Sequence, residues 1–165
     1  DLKSLRNLRF TFGSENSTSG RLMPEYFLNI AGVKTSEFKG KKPGFSGSHD
    51  ATVALVNSGA FEAGALNKQI WEKNLKNNPK RTKNVDVFFV TPSYVDYHWL
   101  SQGDLDENFY SGFTKKLKKA ILNLNENNPN HKIILEMFNA KKFINSDAKQ
   151  YKNIEEIGRK LKKIR

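Results

Sequence analysis

Two short segments of the sequence combine small residues, hydroxyl side chains and a histidine where a predicted strand leads into a helix. The first is Gly13–Gly20 and the second is Ser46–Asp50. Backbone N–H groups at a helix start have no partner within the helix, and the helix dipole places about half a positive charge there. Such a terminus is suited to an anion, and the imidazole of His49 can donate a further hydrogen bond to a phosphate-like oxygen. The two segments therefore predict an anion-binding site.

Each of these features also has a purely structural interpretation. Serine is a common N-cap residue that stabilises a helix by about 1 kcal/mol, and Asp50 complements the positive end of a helix dipole. A histidine at a helix start, such as His49, is often a surface or packing residue. From the residues alone, both interpretations stay open.

The sequence lacks the common catalytic motifs. A nucleotide-binding Walker loop requires a lysine after its second glycine, whereas Arg21 and Leu22 follow Gly20. The segment Gly44–Ser48 lacks the final glycine of a nucleophile elbow. No nucleophile, base and orienting group are recognisable together, so we expect no enzymatic activity, no cofactor and no metal site.

The pattern of apolar residues predicts elements that could position the two segments. Strands and helices alternate in the first part of the chain, which favours an α/β fold with a mixed, mostly parallel sheet flanked by helices. From Asp106 the pattern is helical to the C terminus, and we expect an α/β lobe at residues 1–100 and a helical segment at 101–165. The predicted strands are Leu5–Phe12, Phe61–Leu66 and Val85–Val90, of which the last is the clearest, and Phe45–Ser46 could be a short strand. A helix is predicted over Lys68–Leu75.

Composition narrows the class of protein. The chain has 28 Lys and Arg against 17 Asp and Glu, a net charge of +11. A basic chain invites a nucleic-acid interpretation, but the lysines come in short pairs between asparagines and acids, without a nucleic-acid-binding motif, so we expect no nucleic-acid partner. The absence of cysteine excludes disulfides and thiol chemistry, and no apolar stretch reaches the roughly 18 residues of a membrane span.

Four short blocks of residues stand in order along the chain at familiar spacing. The blocks are Asn16–Gly20 with Leu22–Pro24, Ser46–Ala51, Ala63–Asn67 before Trp71, and Thr91–Tyr97 with Gly103–Leu105. In register, they resemble the phosphonate-binding components of bacterial ABC importers. The resemblance extends from about Leu2 to the C terminus.

The resemblance implies a two-lobed periplasmic-binding-protein fold that closes on a phosphonate, a phosphite or a related oxyanion. This chain would be the second lobe, with residues 101–165 returning to a first lobe encoded upstream of Asp1. The implied partners are a small oxyanion and the membrane permease of an ABC importer. The implied location is periplasmic or extracytoplasmic, with a lipid anchor in an N-terminal segment as one option.

The resemblance also implies roles for individual residues. A carboxylate that binds the amine of aminoethylphosphonate in the family falls at Gln69, and this uncharged residue favours a smaller or uncharged substituent. Asp96 matches a second acid near the ligand, and Tyr94 and Tyr97 are candidates for lining the cleft. The residues expected to bind ligand are Ser17, Thr18, Ser19, His49, Gln69, Tyr94 and Asp96.

Two other classes of function remain as alternatives. The same module could be the ligand-sensing domain of a membrane signalling receptor, with the basic segment Arg159–Arg165 preceding a membrane span. A nucleic-acid-binding domain is the weaker alternative, because it rests on charge alone. A long apolar run after Arg165 would favour the receptor.

Overall fold

A parallel sheet of three short strands organises the first part of the chain. The computed structural model describes all residues, Asp1–Arg165. Strands β1 (Phe10–Phe12), β2 (Gly44–Phe45) and β3 (Ala63–Gly64) lie in the order β2-β1-β3. Both neighbours run parallel to β1, so the carboxyl ends of all three strands lie at one edge of the sheet.

The central strand β1 is buried along its whole length. Phe12 and Thr11 are 0% exposed and Phe10 is 4% exposed, because strands flank β1 on both sides and its phenylalanines pack into the hydrophobic core. The Phe10 ring stacks on Phe38 at a centroid distance of 4.7 Å and meets Phe12 edge-on at 5.0 Å. The core around them consists of Leu5, Leu28, Val33, Phe38 and Ala63. This core fixes the position of the strand ends where the helices begin.

A helical segment follows each strand, which confirms the predicted α/β architecture. Its helices cover the sheet in the way that parallel strands require. The helices are α1 (Met23–Ile30), α2 (His49–Asn57), α3 (Lys68–Asn77) and the short α4 (Pro79–Thr82).

Pro24 shapes the entry into α1. The turn Thr18–Leu22 before this helix is a π-type turn, in which the Leu22 N–H donates to the Ser17 carbonyl at 3.0 Å. Proline has no N–H, so it cannot donate to the carbonyl one turn earlier, that of Gly20. The Gly13 N–H donates to this carbonyl instead, at 2.9 Å. The proline thus leaves free the acceptor that ties the helix start to the end of β1.

The predicted strand Val85–Val90 is wrong for this chain. The segment has no regular secondary structure and pairs with no strand, and Val87, Phe88 and Val90 are 50%, 53% and 56% exposed. A buried strand needs hydrogen-bonding neighbours and a covering layer on each face. No other part of the 165 residues supplies them; the nearest aromatic partner is Phe27, whose ring lies 6.0 Å from that of Phe89.

The chain forms two compact units, residues 1–96 with 151–165 and residues 97–150. The first unit includes the last helix, α8 (Lys152–Lys160), which contacts α1. Here Ile157 is 2% exposed, and the ammonium of Lys163 lies 3.4 Å from the Glu25 carboxylate. This C-terminal helix therefore packs with the α/β unit, and the division into an α/β lobe and a helical segment near residue 100 stays a prediction.

The second unit is helical. Its helices are α5 (Leu105–Asn108), α6 (Phe113–Leu122) and α7 (Pro129–Met137). Asp106 accepts hydrogen bonds from the backbone N–H groups of Gly112 at 2.9 Å and Thr114 at 2.7 Å. Hydrogen bonds from Thr114 and Gly112 hold the pKa of this carboxyl below its usual value. No helix of the chain has the length and apolarity that a membrane span requires.

Candidate functional site

The first wall of the site is the helix start that follows β1. Ser17 is the N-cap, and its Oγ accepts a hydrogen bond from the Gly20 N–H at 2.9 Å. The Ser17 hydroxyl hydrogen can therefore be donated elsewhere. The N–H groups of Thr18 and Ser19 lie in the first turn, where a helix offers no acceptor.

The second wall is the helix start that follows β2. Ser48 is the N-cap of α2, and its Oγ accepts from the Ala51 N–H at 3.2 Å. Gly47 has a φ of +82°, a left-handed conformation that favours glycine. Its N–H donates to the Gly13 carbonyl at 3.3 Å. Because the Gly13 N–H binds the Gly20 carbonyl, Gly13 joins both helix starts to the end of β1.

The two helix starts border an open hollow of about 290 Å³. It carries hydroxyl groups, an imidazole and backbone donors, with a single large apolar side chain. The Asp50 carboxylate also lies at this surface, where it accepts a hydrogen bond from the Asn74 amide of α3 at 2.8 Å. The lining residues are Ser14, Ser17, Gly47, Ser48, His49, Asp50 and Ile70.

His49 presents a defined donor at the hollow. Its Nδ1 accepts a hydrogen bond from the backbone N–H of Asn67 at 3.3 Å, so the proton of the neutral ring resides on Nε2. Burial lowers the pKa of His49 below 6.5, and the carboxylates of Asp96 and Asp50 oppose this effect. The imidazole is therefore neutral near neutral pH and can donate from Nε2.

A third helix start, after β3, connects the candidate residues. Asn67 is the N-cap of α3 and is 8% exposed. Its Nδ2 donates to Ser19 Oγ at 3.4 Å and to Asp96 Oδ2 at 3.3 Å, while its Oδ1 accepts from the Gln69 N–H at 2.8 Å. Asn67 thus contacts four of the residues expected from the sequence, including His49.

The structure brings some predicted residues to the hollow and leaves others apart. Ser17 and His49 line it. Thr18 and Ser19 lie in the same turn as Ser17 but do not line the hollow, and the Gln69 residue is exposed. Tyr94 is half-buried in a segment of the first unit that has no regular secondary structure. The proposed ligand-binding roles of all seven residues stay predictions.

The sequence interpretation did not identify Asn67 as part of the site. A strand-to-helix pattern could have indicated it, because asparagine is a favoured N-cap and Ala63–Leu66 precedes it. Three parallel strands place three helix starts at one edge of the sheet, at Ser17, Ser48 and Asn67. Only the first two helix starts contain the hydroxyl and histidine residues on which the prediction of an anion-binding site rests.

Comparisons of sequence identify known proteins to which this chain is similar. The family model described as "ABC transporter, phosphonate, periplasmic substrate-binding protein" matches residues 1–151. A curated protein of Prochlorococcus marinus (strain MIT 9301), "Probable ABC transporter phosphite binding protein PhnD1", is 74% identical over 164 residues, 99% of this chain and 55% of its own length.

A solved structure extends this similarity to three dimensions. The structure of PhnD1 from Prochlorococcus marinus (MIT 9301) in complex with methylphosphonate matches with a TM-score of 0.96 and 74% sequence identity. The match covers 99% of this chain and 60% of that one. The chain therefore spans somewhat more than half the length of these relatives.

Proposed function

Because this chain belongs to the family of phosphonate-binding periplasmic substrate-binding proteins of ABC transporters, we propose that it supplies the anion-binding lobe of such a protein. The ligand is a phosphite, a phosphonate or a related small oxyanion. The whole protein works outside the cytoplasmic membrane and delivers its ligand to the permease of an ABC importer.

The observation that carries the proposal is the meeting of two helix starts and a neutral imidazole around one hollow. Helix N-termini favour negative charge through their dipoles and their free N–H groups. Hydroxyl and imidazole donors add hydrogen bonds to a charged acceptor, which are stronger than those between neutral groups. Ser17 and His49 provide such donors within the hollow.

The proposed role is binding and not catalysis. A general base needs a free nitrogen lone pair, but the Asn67 N–H occupies Nδ1 of His49. Ser17 Oγ likewise accepts a hydrogen bond from the Gly20 N–H and has no base identified beside it. The matching family consists of periplasmic substrate-binding proteins, and the curated relative is described as a phosphite binding protein. Both descriptions support a function of recognition and release.

We further propose that the ligand carries a small or uncharged substituent. Gln69 stands where the family resemblance expects a carboxylate for an amine, and a neutral amide gives a ligand ammonium no compensating charge. The PhnD1 structure that resembles this chain contains methylphosphonate, whose substituent is an uncharged methyl group.

The double variant Ser17→Ala with His49→Ala tests the proposal in the full-length protein. Each substitution removes a hydrogen bond to a charged ligand, worth about 1.5–3 kcal/mol. We expect calorimetric affinity for phosphite and methylphosphonate to fall about 100-fold or more.

Ser58→Ala is the matched control, because Ser58 lies at the opposite end of α2 and donates only to the Leu55 carbonyl. It should bind like wild type. An unchanged affinity in the double variant would reject Ser17 and His49 as ligands.

A further inference from the structure

We infer that Asn67 is a positioning residue, which turns the side chains of His49 and Ser19 into hydrogen-bond donors toward the ligand. The inference rests on the proposed function, since it assigns the polarity of that same site. Asn67 does not line the hollow and acts through the groups that it contacts. Of these, His49 lines the hollow, whereas Ser19 lies two positions after Ser17 in the same turn, and its role as a ligand is the one that the family resemblance implies.

The backbone of Asn67 sets the polarity of the imidazole. A neutral histidine has one donor nitrogen and one acceptor nitrogen, and the hydrogen bond made by one nitrogen determines the role of the other. The Asn67 N–H donates to His49 Nδ1 at 3.3 Å. Nε2 must then carry the hydrogen, and a ligand atom facing it must be an acceptor.

The side chain of Asn67 sets the polarity of a hydroxyl in the same way. Its amide orientation is determined by the Gln69 N–H, which donates at 2.8 Å and therefore requires the oxygen on that side. Both hydrogens of Nδ2 are then directed to Ser19 Oγ at 3.4 Å and Asp96 Oδ2 at 3.3 Å. Since Ser19 Oγ accepts from Asn67, its own hydrogen is left to be donated.

The second Nδ2 hydrogen of Asn67 binds the carboxylate of Asp96. The negative charge of this carboxylate raises the pKa of His49, against the larger effect of burial. This hydrogen bond occupies one acceptor position of the carboxylate, which reduces its competition with an anion for hydroxyl and imidazole hydrogens. Asn67 therefore favours a ligand that offers acceptor oxygens, as a tetrahedral oxyanion does.

Burial makes these bonds difficult to replace. Asn67 is 8% exposed and Ser19 is also 8% exposed. A donor or acceptor that loses its partner at such a position does not regain a full hydrogen bond from water.

The nearly isosteric variant Asn67→Asp, made in the full-length protein, tests the inference. A carboxylate retains the acceptor for the Gln69 N–H but removes both Nδ2 donors, so Ser19 gives its hydrogen to the new carboxylate. We expect calorimetric affinity for phosphite and methylphosphonate to fall about 30-fold or more, through loss of one charged hydrogen bond and added repulsion. Asn78→Asp, the same substitution at the other end of α3, should bind like wild type.

A double-mutant cycle with Ser19→Ala separates positioning from a merely structural role. Ser19→Ala should weaken phosphite binding in the wild type and in Asn78→Asp, but it should have little further effect in Asn67→Asp, where Ser19 no longer donates to ligand. Two results would overturn the inference while leaving the proposed function in place. One is wild-type affinity in Asn67→Asp, and the other is an equal effect of Ser19→Ala in the wild type and in Asn67→Asp.

A second measurement needs neither a variant nor a ligand. The ¹⁵N spectrum of the histidine-labelled full-length protein reports which imidazole nitrogen carries the hydrogen. An Nε2–H form of His49 supports the inference, even if the protein fails to bind phosphite and the proposed function fails with it. An Nδ1–H form would overturn the inference.

Discussion

Three of the side chains that line the hollow each accept a hydrogen bond from a backbone N–H group. Ser17 Oγ accepts from Gly20, Ser48 Oγ accepts from Ala51, and His49 Nδ1 accepts from Asn67. Each of these three groups also has a hydrogen that it can donate. The site therefore suits an anion by the direction of its hydrogen bonds as well as by the helix dipoles.

The charge state of His49 makes stability depend on pH. Its pKa in the folded protein lies below 6.5 because burial disfavours the imidazolium, against the attraction of Asp96 and Asp50. As the pH falls below 6.5, the unfolded chain binds a proton at this residue before the folded chain does, so folding becomes less favourable. We expect the free energy of unfolding to fall more in wild type than in His49→Gln between about pH 7.5 and the folded pKa.

Urea unfolding of the two proteins at several pH values provides this comparison. Glutamine is a suitable replacement because its amide oxygen can accept from the Asn67 N–H. Below the folded pKa the difference between the proteins should become constant, since both states of His49 are then protonated. Parallel pH profiles throughout would contradict burial of a neutral imidazole.

The sequence predicted the residues at the hollow better than it predicted their connections. Ser17 and His49 were identified because helix starts with hydroxyl and imidazole groups have a known affinity for anions. The role of Asn67 depends on contacts with Ser19, 48 positions away, and with His49, 18 positions away. No local pattern contains such contacts, so they required the packed structure.

At the level of elements, the close approach of β1 and the helix after it shapes the site. The Gly20 carbonyl receives no hydrogen bond from Pro24, which has no N–H. It accepts one from the Gly13 N–H instead. A Cβ at Gly20 would lie 2.9 Å from Ser17 Oγ, 3.1 Å from His49 Cε1 and 3.2 Å from Gly13 Cα. Glycine is thus required here by space.

The variant Gly20→Ala should displace the helix start or the His49 ring. We expect a loss of about 1–3 kcal/mol in the free energy of unfolding, as for other overpacked sites, and a loss of about tenfold or more in phosphite affinity. Gly103→Ala is the control, because a Cβ there meets nothing within 4 Å. Urea unfolding and calorimetry measure both effects, and a Gly20→Ala protein with wild-type affinity would contradict the proposed geometry.

Local sequence patterns located the helices near this edge well but misjudged the apolar segment Val85–Val90. A helix start is determined by its own capping residues, as at Ser17, Ser48 and Asn67. A buried strand depends on neighbours that can come from anywhere in a protein. Val87 and Phe88, which are about half exposed, have no such neighbour in this chain.

At the level of the whole molecule, the chain combines a complete edge of helix starts with much uncovered apolar surface. The first unit brings together Ser17, His49, Asn67 and Asp96. Its exposed apolar segment agrees with the proposal that a first lobe covers part of this surface in the longer protein. Family membership, predicted from four short blocks, is confirmed, and the division into lobes stays a prediction.

The crystal structure of the full-length protein with methylphosphonate is the most direct test of the central claim. We expect the phosphorus-bound oxygens to lie about 2.7–3.2 Å from His49 Nε2 and Ser17 Oγ, between the two helix starts. A ligand bound elsewhere, with the hollow at Ser17 and His49 filled only by water, would contradict the proposed site.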